Sequence, residues 1–151
     1  MRHIFLIILL FIVVLPANSQ TGEDSVKSTV NRLFTAMKNA DPDILLSCFS
    51  DSVIFQSLST DQQGKTIVKT ESVHEFASLI GKLQKNDADE RISFDVVRID
   101  ANLAVVWAPY QFYYKGKFSH CGADSFQLIR VNGQWKIQYL IDTRRKDGCM
   151  P

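Results

Sequence analysis

Three short turns constrain this chain more than anything else in it. Asp100-Ala101-Asn102, Lys115-Gly116 and Asn132-Gly133 separate four long apolar runs: Arg91 to Ile99, Leu103 to Tyr114, Phe118 to Val131 and Gln134 to Arg145. A connection of two or three residues can only turn a strand back beside its predecessor, because a parallel crossover needs about a dozen residues or more. The second half of the chain is therefore expected to be an antiparallel meander.

Ahead of the meander the pattern changes from period two to period 3.6. Val26, Val30, Leu33, Phe34 and Met37 recur at helical spacing from Ser25 to Ala40. Asp41-Pro42-Asp43 supplies a cap, a proline suited to the first helical turn and an early acid, and predicts a short second helix to about Phe49. Val53 to Leu58 and Thr66 to Lys69 read as strands. Ser72 and Glu75 have capping-box spacing before the apolar face Val73, Phe76, Ala77, Ile80 and Leu83, a third helix. LQKNDADE then reads as a polar link. Helices in the first half followed by a meander make an α+β fold, in which a curved antiparallel sheet wraps, cone-like, around the three helices.

The start of the chain reads differently. Arg2 and His3 precede an unbroken apolar run from Ile4 to Leu15, then Pro16 and the small-x-small site Ala17-Asn18-Ser19. Residues 1–19 are thus expected to be a signal peptide and residues 20–151 a single domain, secreted or periplasmic. The apolar run is shorter than the roughly 20 residues that cross a bilayer, so no membrane association is expected after cleavage. With 17 Lys plus Arg against 16 Asp plus Glu, the charge is nearly balanced and no nucleic-acid partner is implied.

Of the cysteines, Cys48 falls among Leu45, Leu46 and Phe49 as a buried thiol, and Cys121 with Cys149 is the better disulfide pair. With His3 lost, only His74 and His120 remain, and the cysteines lack clustered spacing, so no metal and no cofactor is expected. His120 and Cys121 are neighbours on a strand and point to opposite faces, which argues against a Cys–His nucleophile.

The arrangement resembles the nuclear-transport-factor-two-like (NTF2-like) superfamily, which includes ketosteroid isomerase and SnoaL-type cyclases. The carriers are VKSTVNRLFTAMKNADPDILLSCFSDSVIF and GQWKIQYLIDTRR, and GKFSHCGADSFQL is similar to small secreted bacterial proteins labelled lumazine-binding. The resemblance covers nearly the whole chain beyond the signal. It implies a cavity between the helices and the concave sheet face, and often a homodimer through the sheet, but it transfers no catalytic residue.

Regular two-residue turns fix an expected register. Val131 opposite Gln134 sets Asp124 against Ile141 and His120 against Arg145; Tyr113 opposite Phe118 sets Gln111 against His120 and Trp107 against Asp124. One face then carries Val105, Trp107, Phe118, Phe126, Leu128, Trp135, Ile137 and Tyr139, with Gln111, His120, Asp124, Thr143 and Arg145 toward one end. Cys121, Asp142 and Arg144 fall on the other. A β-bulge would invert the assignment, and Pro109 in mid-strand marks a place for one.

Three functions fit this face. A small, partly apolar organic ligand would lie against Trp107, Gln111, Tyr139, Thr143 and Arg145. A lyase- or isomerase-like enzyme would use His120 or Asp124 as base, with a tyrosine or Arg145 stabilising negative charge. An interaction module would dimerise through the other face, expected to carry Val106, Ala108, Tyr110, Phe112 and Tyr114. The bland alternative is that the His, Asp and Arg side chains merely tie strand ends together.

Overall fold

The computed structural model describes residues 22–149, so the expected signal peptide lies outside the described residues. Among these residues the order is α1 (Gly22–Asn39), α2 (Pro42–Ser47), β1 (Phe49–Thr60), β2 (Thr66–Glu71), α3 (Val73–Ile80), β3 (Ala88–Ile92), β4 (Val96–Asp100), β5 (Leu103–Tyr114), β6 (Lys117–Val131) and β7 (Gln134–Thr143). The seven strands form one curved sheet in the order β2-β1-β7-β6-β5-β3, with β4 also on β5. The class is α+β, helices first, sheet wrapped around them.

Local chemistry accounts for most boundaries. The Asp41 side chain accepts from Ile44 N–H at 3.0 Å and Ser72 accepts from Glu75 N–H at 3.3 Å, so each short helix starts on a capped donor. Lys115 and Gly116 have φ of 51° and 75°, and Asn132 and Gly133 have 50° and 81°. Positive φ at both central residues is the hairpin turn whose twist matches the flanking strands. The meander β5-β6-β7 follows.

Two features depart from the expected pattern. The run Arg91 to Ile99 is split, because Ile92 pairs with Tyr110 while Val96 pairs with Trp107. Residues 93–95 thus oppose only 108–109, a bulge against Pro109, which has no N–H for the ladder. The polar link also ends earlier, since Ala88, Asp89 and Glu90 are already strand. The meander is closed on its far side by β1, which pairs parallel to β7.

The core lies between the helices and the concave face. Val26, Val30, Leu33, Phe34 and Met37 of α1 pack toward Phe126, Leu128 and Ile137, the last three fully buried. Burying each such side chain contributes about 1.5–3 kcal/mol. Phe34 meets Phe126 edge-on with centroids 6.2 Å apart, and Phe55 of β1 meets Phe76 of α3 at 5.4 Å. Cys48 is free and buried, and Cys121 is bridged to Cys149, tying the tail to β6.

Candidate functional site

Two further bulges decide which side chains face inward. From the Asn132-Gly133 turn, β6 and β7 pair regularly as far as Leu128 with Ile137, but the next rung joins Gln127 to Tyr139. Gln138 is the extra residue. Its amide is occupied by β1 instead, donating to the Ser52 carbonyl at 2.9 Å and accepting from Ser50 Oγ at 2.7 Å. Beyond it every residue of β7 exchanges faces, so Asp124 lies opposite Asp142. Between β5 and β6 the extra residue is Ser119, and Phe112 rather than Gln111 opposes His120.

The expected inward set is therefore half right. His120 and Asp124 do line the interior cavity, whereas Trp107, Gln111, Tyr139, Thr143 and Arg145 are turned away from it. Trp107 is 43% exposed on the outer face. Tyr139 Oη donates to Gln56 at 2.9 Å, Thr143 Oγ1 accepts from Ala123 N–H at 3.1 Å, and Arg145 bridges to Cys121 across the strand ends. Gln111 accepts from Tyr113 Oη at 3.1 Å. Conversely Ala108, Tyr110 and Phe112, expected outside, face in, as do Asp142 and Arg144.

The close approach of β6 and β7 beyond the bulge depends on Gly122. A Cβ there would stand 1.7 Å from the Thr143 carbonyl oxygen, so no other residue fits without moving the backbone. Tyr110 Oη donates to that same carbonyl at 2.9 Å. Gly122 is thus explained by strand contact.

The cavity these elements enclose has a volume of about 290 Å³. Leu33, Phe34 and Met37 from α1, Phe76 and Ile80 from α3, and Phe55, Phe112 and Leu140 from the sheet make its body apolar. At one end Glu90, Tyr110, His120, Asp124, Asp142 and Arg144 converge from four strands and the segment after β7. Arg144 Nε donates to Asp142 Oδ2 at 2.7 Å, and its terminal nitrogen donates to Ser57 Oγ at 2.8 Å. Among the described residues no donor reaches Asp142 Oδ1 or Asp124 Oδ2, although both residues are at least 95% buried.

Charge at this end is unbalanced. Glu90 is ringed by protein yet keeps some surface on the cavity, and desolvation first, then the Asp142 charge, pushes its carboxyl up to about 8. Burial, and the neighbouring Glu90 charge after it, hold the Asp124 carboxyl well above the carboxylate range. The two carboxyls lie within reach of each other and titrate as a pair, and burial favours their holding a proton in common. Burial, and after it Arg144, pushes His120 below its ordinary value, so its ring is neutral near pH 7. That ring stands edge-on to Tyr110, and its Nδ1 is 3.1 Å from Ser119 Oγ.

Comparison with solved structures fits this architecture. A protein of unknown function from Shewanella baltica described as NTF2-like superposes with a TM-score of 0.61 at 15% identity, over 82% of this chain and 93% of that one. The fold is NTF2-like. An NTF2-like protein of unknown function from Methylobacillus flagellatus gives 0.59 at 14% identity over 81% and 90% of the two chains. A Nostoc punctiforme protein of unknown function, described as having a cystatin-like fold, gives 0.64 at 11% over 84% and 95%. No family model matches the sequence, and no curated protein does.

Sequence reasoning missed Glu90, Tyr110, Asp142 and Arg144. Glu90 had a faint signal in the alternation Ala88, Glu90, Ile92, overshadowed by the polar residues before it. The other three were lost to the bulges at Ser119 and Gln138, neither of which is a glycine or proline that would have announced one.

Proposed function

We propose that this NTF2-like cavity binds a small, largely apolar organic molecule that presents a polar group to the carboxyl end. The observation that carries this reading is an apolar-lined cavity ending in buried carboxylate oxygens that find no donor among the described residues. Buried polar atoms are ordinarily satisfied, since an unmet one costs about 1–3 kcal/mol, and a ligand can meet that need. Native mass spectrometry of the purified protein, together with displacement of a bound apolar fluorophore, tests the reading. Retained small-molecule mass or saturable fluorophore binding supports it, and absence of both refutes it.

The Glu90–Asp124 pair favours a second reading, an acid–base lyase or isomerase. A carboxyl with a proton affinity near neutral pH, facing an apolar chamber, is suited to moving a proton to or from carbon. Asp124 with Glu90 would carry the proton, with neutral His120 beside them. Deuterium uptake by small cyclic ketones, followed by NMR, checks it; uptake lost in Asp124→Asn with the melting temperature retained supports chemistry, and no uptake counts against it.

Export is supported by the apolar leader and by the Cys121–Cys149 bridge, a bond that persists in oxidising compartments. The outer sheet face supports a homodimer, because Leu103, Val105 and Trp107 stand exposed in a row on β5, with Val96 of β4 beside Trp107. Light scattering of wild type and Trp107→Glu tests it. A monomer in both would end the proposal.

A further inference from the structure

The carboxyl end is charged in a way that selects among ligands. Glu90 from β3, Asp124 from β6 and Asp142 from β7 bring three carboxyls to the cavity, and Arg144 is the cation among its lining residues. Arg144 is already engaged on Asp142 Oδ2 and on Ser57, which leaves Asp142 Oδ1 to accept from something else. Tyr110 Oη is shared between the Thr143 carbonyl at 2.9 Å and Asp142 Oδ2 at 3.4 Å, and His120 lies beside Ser119 with its ring against Tyr110 and Phe112. The helices contribute only Leu33, Phe34, Met37, Phe76 and Ile80 to the lining. The remaining charges that bear on the cluster, Glu71 and Lys146, act from its periphery.

We infer that the preferred ligand is a compact organic amine, whose ammonium donates to Asp142 Oδ1 and Asp124 Oδ2 while its apolar body fills the chamber against α1 and α3. This rests on the cavity-binding reading and names the chemical class it takes. An ammonium supplies three donors and a positive charge where the protein has placed acceptors and a negative excess. An alcohol would bring a single donor and no charge. A carboxylate would face like charge in a desolvated site. A metal ion is a poorer fit, because among the described residues no three His, Cys, Asp or Glu side chains are disposed to hold one.

A linked event follows. A cation on Asp124 Oδ2 and Asp142 Oδ1 favours the ionised form of the neighbouring Glu90–Asp124 pair, so amine binding drives the proton that the pair holds out to solvent and leaves two carboxylates beside the ammonium. Affinity for the amine therefore rises with pH toward the value at which the pair loses its proton unaided.

Three probes with one apolar body separate the possibilities: 2-(2-naphthyl)ethylamine, 2-(2-naphthyl)ethanol and 2-naphthylacetate. Isothermal titration at pH 7 in two buffers of different ionisation enthalpy is expected to show the amine binding at least ten-fold more tightly than the alcohol, the carboxylate weakest, and a fraction of a proton released per amine. Asp124→Asn is expected to lower the amine-to-alcohol affinity ratio and abolish the proton release. Glu90→Gln, read the same way, serves if Asp124→Asn does not fold. Alcohol binding equal to or tighter than amine, or amine binding without proton release, overturns the amine assignment while leaving the cavity reading intact. Failure of all three probes overturns both.

Discussion

Raising the pH should loosen this protein across a range where most proteins are indifferent. Glu90 is expected to ionise near 4.5 in the unfolded chain and at about 8 when folded. The folded state then holds more protons than the unfolded state between those values, so stability falls as pH rises from about 4.5 to about 8. At 1.36 kcal/mol per pKa unit, that interval corresponds to a loss on the order of 5 kcal/mol. For a domain of this size the loss is roughly 10–20 °C in melting temperature.

Two groups act with the opposite sign and locate the clean window. Asp89, held low overall because its bonds to Lys38 and Arg91 outweigh its burial, contributes stability that is complete above its unfolded value near 3.8. His120, held low, contributes stability that is complete above its unfolded value near 6.5. The decline should therefore be steepest and uncompensated from about pH 7 to pH 8. Differential scanning calorimetry of wild type and Glu90→Gln at intervals from pH 5 to pH 9 measures it. Glu90→Gln should flatten the slope and be the more stable protein at pH 9. A wild-type melting temperature that is level or rising from pH 7 to pH 9, or a variant with the wild-type slope, refutes the shared proton.

Other outcomes follow from single contacts. Gly122→Ala forces a Cβ to 1.7 Å from the Thr143 carbonyl and should cost at least about 2 kcal/mol, seen as a lower urea midpoint with an unchanged m-value. Replacing both Cys121 and Cys149 by serine opens a closure between residues 28 apart and should cost roughly 3–4 kcal/mol by chain entropy, lowering the denaturant midpoint relative to the oxidised protein. Phe126→Ala empties a fully buried site against Phe34 and should cost about 3–5 kcal/mol in the same measurement.

The scaffold was far more legible than the site. Turns such as Asn132-Gly133 carry their own geometry, and the caps Asp41 and Ser72 announce helix starts through bonds made within three residues. Those are local interactions, and local sequence encodes them. Facing is a cumulative property: it is counted residue by residue from the turn, and one uncounted residue reverses all that follow. The bulge at Gln138 is held by Ser50 and Ser52, some 86 residues away in the chain, so nothing near it could reveal it. His120 and Asp124 were placed correctly because β6 keeps its faces across both corrections. Trp107 and Gln111 were misplaced by the extra residue at Ser119, and Tyr139, Thr143 and Arg145 by the one at Gln138.

Gln138 also shows how a cavity of this kind can change its chemistry. Were Gln138 taken into the regular β6–β7 ladder instead of bulged out, the end of β7 would present Tyr139, Ile141, Thr143 and Arg145 to the interior in place of Leu140, Asp142 and Arg144. The chamber would lose a carboxylate and gain hydroxyls, with the surrounding sequence untouched. A frame of strands read in steps of two acts like a reading frame, and whether one extra residue is bulged out or taken into the ladder decides which side chains make the binding surface, a change that no single substitution within that surface could reach.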